Sequence, residues 1–171
     1  EIIWEKGTNR SAFFRGEVNK YGWVDIGSSF LPSEITAAFL AAQLENIKKI
    51  QNRRLEIWNR YYDNINNDIN SGHLPFIPDY SGNNAHMFYV KCKSLKHRSN
   101  IISKLKEHNI YAVFHYISLH KSDFAIKKGF NTKNLTYSDF YTNCLLRLPF
   151  YIELNNDQID QISEIIGENF N

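Results

Sequence analysis

Cysteine, net charge and long apolar runs are all scarce in this sequence, and each shortage excludes a class of protein. Cys92 and Cys144 are too few and too far apart for a disulfide framework, so we expect both to be reduced, structural thiols. No apolar run approaches the roughly 20 residues that span a bilayer, which predicts a cytoplasmic protein without a membrane partner. Twenty basic and 18 acidic residues leave a net charge of +2. Because the basic residues are scattered, we expect no nucleic-acid partner.

Apolar and aromatic side chains are abundant, at 43% and 15% of the 171 residues. This composition suffices for a compact core and differs from that of a disordered chain. The sequence does not begin with methionine, and residues 1–6 have the pattern of the end of an amphipathic helix, with Gly7 as its C-terminal cap. Natural proteins rarely begin at the end of a helix, so we expect this chain to be the C-terminal part of a longer protein.

Two segments of different character follow. Residues 7–31 show neither a period of two nor a period of 3.6, which predicts an ordered, aromatic-rich loop that packs against a partner surface. From Ser33 onward, apolar residues recur at spacings of three and four until the asparagine-rich residues 64–70. This stripe predicts a long helix that bridges two lobes and could be broken midway.

The rest of the chain has an α+β pattern. Three short runs alternate in polarity as strands do: 85–91, 110–115 and 145–148. Thr136 with Asp139 and Asn155 with Gln158 have the spacing of a capping box at a helix N-terminus. Three strands with helices on one face form a small α+β lobe.

The most site-like cluster comes directly after the second predicted strand. His115, Tyr116 and His120 fall within six residues, and a strand end is well placed to face a cleft. Three interpretations stay open. The two histidines could be packed or capping residues, the cluster could donate hydrogen bonds to a substrate's phosphate or hydroxyl groups, or Asp123 could complete a metal site. The metal interpretation is the weakest, because the spacing fits no standard zinc pattern.

A second candidate lies in the loop. Arg10 and Arg15 could hold a phosphate or carboxylate through forked hydrogen bonds, although solvated surface positions explain them equally well. Ser28 and Ser29 precede a predicted helix, where hydroxyls and free backbone N–H groups favour an anion. Neither a nucleotide-binding glycine fingerprint nor a Ser-His-Asp or Cys-His arrangement emerges from the sequence.

Six segments, taken together, occur in the order seen in one enzyme family. They are Gly-Thr-Asn-Arg at 7–10, Phe-Phe-Arg-Gly at 13–16, Asp-Ile-Gly-Ser-Ser at 25–29, Ala-His-Met-Phe-Tyr at 85–89, Val-Phe-His-Tyr with the following Leu-His at 113–120, and Leu-Arg-Leu-Pro at 146–149. Over almost its whole length the chain resembles the C-terminal part of the DegT/DnrJ/EryC1/StrS family of pyridoxal-phosphate-dependent sugar aminotransferases.

The resemblance implies a fold and a domain organisation. The fold is the α/β type I PLP-dependent aminotransferase fold, of which this chain would be the C-terminal part. Residues 1–32 would form the end of the large domain and an interface loop, and residues 33–70 a long bridging helix. Residues 71–171 would form a small α+β domain with a three-stranded antiparallel sheet. The family also implies a homodimer in which the loop completes the neighbouring subunit's active site.

The reaction implied is amino transfer from L-glutamate to C4 of a dTDP-4-keto-6-deoxy sugar, in the synthesis of lipopolysaccharide or enterobacterial common antigen sugars. Pyridoxal 5′-phosphate would be the cofactor, joined to a lysine that lies upstream of this chain. No lysine present stands in the matching context, so we assign no catalytic residue and expect the fragment alone to be inactive. The rival hypothesis is a non-catalytic α+β binding or dimerisation module.

The resemblance also implies two groups of binding residues. Ser28 and Ser29 are the expected cofactor contacts. Ser29 matches the position where many relatives place an Asn that reaches the phosphate of the neighbouring subunit's cofactor, although relatives often read Gly-x-Asn-x-Arg where this chain has Gly-Ser-Ser-Phe-Leu. The expected nucleotide-sugar contacts are Arg10, Arg15, Tyr21, His115, Tyr116 and His120. The last three match the family's His-Tyr-x-Pro-Leu-His segment, with Ser118 in place of proline.

Overall fold

The chain forms two compact units, Glu1–Ile47 and Lys48–Asn171, in a computed structural model that describes residues 1–130 and 134–170. In the first unit the opening residues make a single helix-like turn. The amide of Glu5 donates to the carbonyl of Glu1 at 3.1 Å, and the amide of Gly7 donates to that of Ile2 at 2.8 Å. This last bond has the pattern of a Schellman cap, in which Lys6, with φ of 63°, holds the first left-handed position.

Gly7 follows Lys6 in the left-handed region as well, with φ of 77°. A Cβ at this position would lie 1.8 Å from the carbonyl oxygen of Asp25. The sequence prediction therefore located the cap one residue too late, because a lysine tolerates the left-handed position while Gly7 is needed for the close approach of two backbone segments.

The predicted loop contains more regular structure than its sequence pattern indicates. A five-residue helix, α1 (Arg10–Phe14), lies within it, and two isolated antiparallel bridges join Glu5 to Ser29 and Thr8 to Trp23. Trp23 is 78% exposed within this chain.

The predicted helical stripe comprises two helices. Helix α2 (Glu34–Glu45) begins at Ser33, whose Oγ accepts a hydrogen bond from the amide of Thr36 at 3.2 Å, as the capping prediction requires. Asn46 interrupts the helical path, and α3 (Ile47–Asp68) follows. No side chain of α2 is buried, although the helix is rich in apolar residues.

The second unit is built around a buried apolar core. Apolar residues recur on one face of α3, which places them against the sheet and the last helix. Fully buried side chains include Ile57, Tyr61, Ile65, Phe88, Ile101, Leu105, Leu146, Ile159 and Ile166. The rings of Tyr61 and Phe88 stack at 5.2 Å between centroids. Burial of a large apolar side chain contributes about 1.5–3 kcal/mol, so this core dominates the stability of the unit.

The sheet is three-stranded and antiparallel throughout, in the order β1-β3-β2, which confirms the predicted sheet. The strands are β1 (Tyr89–Lys91), β2 (Val113–Phe114) and β3 (Leu145–Arg147). All three are shorter than their alternating sequence runs. Before β1, Ala85 has a φ of 46°, and its amide donates to Oδ1 of Asn83 at 2.8 Å. This local turn precedes the strand. Backbone pairing begins at Phe88, whose carbonyl accepts from the amide of Leu148 at 3.1 Å.

Among its described residues, the second unit has four further α-helices: α4 (Leu95–Glu107), α5 (Asp123–Lys127), α6 (Thr136–Cys144) and α7 (Asn156–Phe170). The capping box of α7 is confirmed. The amide of Gln158 donates to Oδ1 of Asn155 at 2.9 Å, and the amide of Asn155 donates to Oε1 of Gln158 at 3.0 Å.

The capping box predicted at Thr136 and Asp139 is wrong. Helix α6 starts at Thr136 itself, after Leu135, which makes no side-chain capping bond. Asp139 pairs with Lys121 instead, at 2.7 Å between Oδ2 and Nζ. The ammonium group of Lys121 therefore binds the Asp139 carboxylate that the capping box would have used. In the part of the chain that the structure describes, no helix is long and apolar enough to cross a membrane.

Candidate functional site

The predicted cluster of His115, Tyr116 and His120 follows directly after β2. His115 is the first residue after Phe114, the segment runs across α6, and a short 3₁₀ turn at Leu119–Lys121 carries His120. Helix α6 contacts both β2 and β3. The segment 115–121 is therefore positioned by the edge strand on one side and by α6 on the other.

His115 and Tyr116 lie together at the surface. Their rings meet edge to face at 5.4 Å between centroids, and Tyr116 is 75% exposed. Nδ1 of His115 is buried and has no hydrogen-bond partner among the described residues. A buried polar atom without a partner costs about 1–3 kcal/mol, which makes this nitrogen a candidate for a functional contact.

His120 has a different environment. Its side chain is only 10% exposed, and Nε2 lies 3.3 Å from Oδ1 of Asp139 without hydrogen-bond geometry. Hydrogen bonds from Lys121 and Ser118, and more weakly the proximity of His120, lower the pKa of the Asp139 carboxyl below its ordinary value. The structure thus brings His115 and Tyr116 to one surface and places His120 against a carboxylate of α6.

Two arginines next to the cluster were missed by the sequence reasoning. The Cζ of Arg147 lies 5.6 Å from the Tyr116 ring centroid, and its Nη2 donates to the carbonyl of Phe114 at 3.3 Å. The Cζ of Arg98 lies 5.4 Å from the Phe114 ring centroid. Both arrangements are cation–π contacts, and they make the environment of β2 electropositive. Arg147 stands in one of the family-like segments, whereas only the fold brings Arg98 of α4 to this strand.

The metal interpretation of the cluster finds no support in the geometry. Within residues 1–130 and 134–170, no three His, Cys, Asp or Glu side chains are arranged to hold a metal ion. Asp123, the third ligand considered, lies in the first turn of α5.

The first unit has its own cavity, of about 820 Å³. Three of the predicted site residues line it, namely Arg10, Tyr21 and Ser29, together with Lys6 and Trp4. Cationic, hydroxyl and aromatic side chains therefore line one cavity, and such groups can bind a phosphate and pack against a ring.

Arg15 is not among the residues that line this cavity. Its Nη1 binds Oε1 of Glu1 at 2.8 Å and its Nε binds Oε1 of Glu17 at 2.6 Å. Hydrogen bonds from Arg15 lower the pKa of both carboxyls. The guanidinium of Arg10, in contrast, lies over the Phe14 ring at 5.3 Å.

The two serines predicted to contact a phosphate are fixed by their backbone. The amide of Ser28 donates to the carbonyl of Ile3 at 2.9 Å, and Ser29 pairs with Glu5. Both side chains are exposed, and neither hydroxyl hydrogen-bonds to another described residue. These hydroxyls are therefore free to donate to a phosphate, so the residues present fit the phosphate group of a cofactor.

Comparison with known proteins identifies the relatives of this chain. Residues 4–167 match the DegT/DnrJ/EryC1/StrS aminotransferase family. The chain is 26% identical over 158 residues to the UDP-4-amino-4-deoxy-L-arabinose--oxoglutarate aminotransferase of Shewanella sediminis, which covers 84% of this chain and 40% of that protein. It is 32% identical over 98 residues to the dTDP-4-dehydro-2,3,6-trideoxy-D-glucose 4-aminotransferase of Saccharopolyspora spinosa, with coverage of 57% and 25%. The chain thus spans two fifths or less of these relatives.

Solved structures share the fold. An apo form of a protein described as a sugar aminotransferase, from Streptococcus pneumoniae, superposes with a TM-score of 0.79 at 19% identity, over 98% of this chain and 41% of that one. PMP and PLP forms of the same protein are also similar. The Helicobacter pylori aminotransferase of pseudoaminic acid biosynthesis gives 0.78 at 19% identity, with coverage of 99% and 44%. The predicted fold class is confirmed.

Proposed function

The chain belongs to the DegT/DnrJ/EryC1/StrS aminotransferase family, and on that premise we propose that it is the C-terminal part of a nucleotide-sugar 4-aminotransferase. Pyridoxal 5′-phosphate is the cofactor of this family, as the resemblance implied. The proposed reaction moves the amino group of L-glutamate to C4 of a dTDP-4-keto-6-deoxy sugar. Within the family, dTDP-4-amino-4,6-dideoxygalactose transaminase, from lipopolysaccharide and enterobacterial common antigen synthesis, is the proposed specific identity.

The observation that carries this proposal is the family match over residues 4–167. It is supported by the cavity of the first unit, which three residues expected at the site line: Arg10, Tyr21 and Ser29. When bound, the cofactor supplies the electron sink that amino transfer requires. Arg10 is proposed to hold the diphosphate of the nucleotide sugar, because guanidinium groups bind phosphate through paired, charge-assisted hydrogen bonds. Tyr21 is proposed to cover an aromatic or sugar ring of the same ligand.

The other predicted residues are proposed as further ligand contacts, each within its own unit. Ser28 and Ser29 donate from their hydroxyls to the phosphate of the cofactor in the partner subunit of a homodimer. In the second unit, the proposed contacts to the sugar of the nucleotide sugar are His115, Tyr116 and His120. The exposed aromatic residues of the first unit, Trp23 among them, support such a shared interface, since apolar patches of this kind mark interaction surfaces.

The test is an assay of the full-length gene product with L-glutamate and a panel of dTDP- and UDP-linked 4-keto sugars. We expect a visible absorption band from bound pyridoxal phosphate, and formation of 2-oxoglutarate together with an amino sugar detectable by mass spectrometry. The panel decides the nucleotide, on which the two relatives differ in name. If the protein dimerises but shows neither the band nor an amine product, the rival binding or dimerisation module replaces this proposal.

Arg10→Ala tests the diphosphate contact. Loss of a charge-assisted hydrogen bond costs about 1.5–3 kcal/mol, so the affinity for the nucleotide sugar should fall by roughly ten- to a hundredfold. Pyridoxal phosphate binding, followed by its absorbance, should change little.

Arg15→Ala is the matched comparison, because Arg15 belongs to the same loop but already binds Glu1 and Glu17. A loss similar to that of Arg10→Ala would keep Arg15 in the site, whereas unchanged affinity would remove it. If Arg10→Ala leaves the affinity unchanged, the cavity is not the diphosphate site.

A further inference from the structure

Ser118 lies in the middle of segment 115–121, and its burial calls for an explanation. Only 5% of this residue is exposed, whereas its neighbours Tyr116 and Leu119 are largely in solvent. A buried hydroxyl is stable only when its hydrogen bonds are made. The partners of Ser118 therefore show what the residue does.

Four groups form a continuous chain of hydrogen bonds around Ser118. Ser138 Oγ lies 3.1 Å from Ser118 Oγ, which lies 2.7 Å from Thr142 Oγ1, which in turn lies 3.3 Å from the carbonyl oxygen of Tyr116. Each hydroxyl has one proton to donate. Because the carbonyl of Tyr116 can only accept, Thr142 donates to it and Ser138 donates to Ser118, while the Ser118 hydroxyl faces both Thr142 Oγ1 and the Asp139 carboxyl group.

The α6 end of this chain is held rigidly. Ser138 and Thr142 are four residues apart and thus share one face of α6. The carbonyl of Thr142 also accepts a 2.7 Å hydrogen bond from Nη1 of Arg98, which is 9% exposed on α4. Thr142 is therefore the point at which α4, α6 and the segment after β2 are joined.

The backbone of Ser118 has the conformation that proline would impose. Its φ is −56° and its ψ is 123°, and a proline ring locks φ near −65°. The amide of Ser118 makes no hydrogen bond to the described residues, so a proline here would remove none. The hydroxyl chain thus achieves by side-chain bonding the restriction that a ring would achieve covalently.

A second contact holds the far end of the segment to the same helix. Nζ of Lys121 lies 2.7 Å from Oδ2 of Asp139, which stands between Ser138 and Thr142 in α6. The segment is therefore attached to α6 at Tyr116, Ser118 and Lys121, while the side chain of Tyr116 projects into solvent.

We infer that Ser118 is a positioning residue for the nucleotide-sugar site. Its hydroxyl, acting through Thr142, fixes the backbone at Tyr116 and so sets the orientation of His115 and Tyr116 toward the ligand. The inference rests on the proposed function for the identity of that ligand. The hydroxyl anchor itself depends only on the geometry of α6 and the segment.

The test compares Ser118→Ala with Ser118→Pro in the full-length gene product. Hydrogen–deuterium exchange of peptides covering residues 113–121, measured without ligand, should be faster in Ser118→Ala. In Ser118→Pro, it should return toward the wild-type rate, because the ring restricts φ without the hydroxyl. The KM for the nucleotide sugar should rise about three- to tenfold in Ser118→Ala, the range of one neutral hydrogen bond, and recover in Ser118→Pro, with kcat little changed.

Ser163→Ala is the matched control, since Ser163 is also buried and donates from Oγ to the carbonyl of Ile159 at 2.8 Å within α7. Ser163→Ala should lower the free energy of unfolding, as the loss of any buried, hydrogen-bonded hydroxyl does. It should leave hydrogen–deuterium exchange at residues 113–121 unchanged. If the role of Ser118 were merely structural, hydrogen–deuterium exchange would be faster across the whole unit in both Ser118→Ala and Ser118→Pro.

Unchanged exchange at 113–121 in Ser118→Ala would overturn the anchor. Faster exchange with unchanged KM would overturn the positioning role. If the wild-type protein converts no nucleotide sugar, both the proposed function and the positioning role of Ser118 are wrong. The exchange rates then still test whether the Ser118 hydroxyl anchors the segment to α6.

Discussion

The two loop arginines have the same charge and nearly the same place in the sequence, yet their neighbours give them different chemistry. Arg15 donates its hydrogen bonds to Glu1 and Glu17, while Arg10 lines the cavity of the first unit. His115 and His120 of the second unit differ in the same way, since His115 lies beside exposed Tyr116 and His120 lies against Asp139. At the scale of single residues, partners and burial decide the role more than residue type does.

Cys92 provides a test at this scale. It is 1% exposed, and burial raises the pKa of its thiol to about 12. Because the thiolate is the reactive form, iodoacetamide at pH 8 should leave Cys92 unmodified in the native protein and alkylate it after unfolding in guanidinium. Peptide mass spectrometry gives the extent of modification at this residue.

Cys144 is the internal comparison, as a second free and buried thiol whose pKa is also raised by burial. It should be protected in the native protein as well, which agrees with the expectation of reduced, structural thiols. Rapid native alkylation of Cys92 would mean that the sheet opens locally, because its amide is bound to the carbonyl of Cys144 at 2.7 Å.

Among the helices and strands, α7 offers the most direct test of a single capping interaction. Asn155→Ala removes the Oδ1 atom that accepts from the amide of Gln158 at 2.9 Å. The free energy of unfolding should fall by about 1 kcal/mol, within the usual range of about 0.5–2 kcal/mol. Urea denaturation followed by circular dichroism measures the loss. Asn155→Ser, which keeps a capping oxygen, should retain most of the stability, and an equal loss in both variants would contradict the capping role.

The capping pairs show which elements the sequence could predict. The box at Asn155 and Gln158 formed because both partners are local and nothing else competes for them. The box at Thr136 and Asp139 did not form, because Lys121 reaches Asp139 from another part of the chain. Helix α1 was missed for a related reason, since five residues are too few to show a period.

The candidate site follows the same division. Tyr116 and His115 could be predicted, because a strand end followed by polar rings is visible in the sequence. The contribution of Arg98 could not, because its position beside Phe114 depends on the packing of α4 against α6. The hydrogen bonds of Ser118 likewise join residues about 20 positions apart and exist only once the fold has formed.

At the scale of the whole molecule, the two units differ in how well they bury their own apolar residues. The unit Lys48–Asn171 has an extended core, whereas α2 in the unit Glu1–Ile47 buries none of its side chains. The intrinsic stability of this chain should therefore come mainly from the second unit, and the ion pairs within that unit should contribute to its acid sensitivity.

Asp160 carries the clearest of these pairs. Arg60 donates from Nε to Oδ1 of Asp160 at 2.7 Å, and Asn64 donates to the same oxygen at 2.7 Å, which links α3 to α7. The hydrogen bond from Arg60, followed by that from Asn64, lowers the pKa of the Asp160 carboxyl below its ordinary value of about 3.8. Both side chains of the ion pair remain partly exposed, so solvent and salt weaken the interaction.

The pH dependence follows from the direction of that change. A carboxyl whose pKa is lowered by folding stabilises the native state above its unfolded pKa, and this contribution is lost as the pH falls from about 4 through the folded pKa. Asp160→Asn should therefore lower the free energy of unfolding at pH 7, and the difference from the wild type should shrink at pH 3. Urea denaturation at the two pH values measures it. Glu164→Gln, which removes an exposed carboxylate from the same helix, should show no such convergence. A difference for Asp160→Asn that stays constant with pH would mean that packing, and not the charge of Asp160, joins α3 to α7.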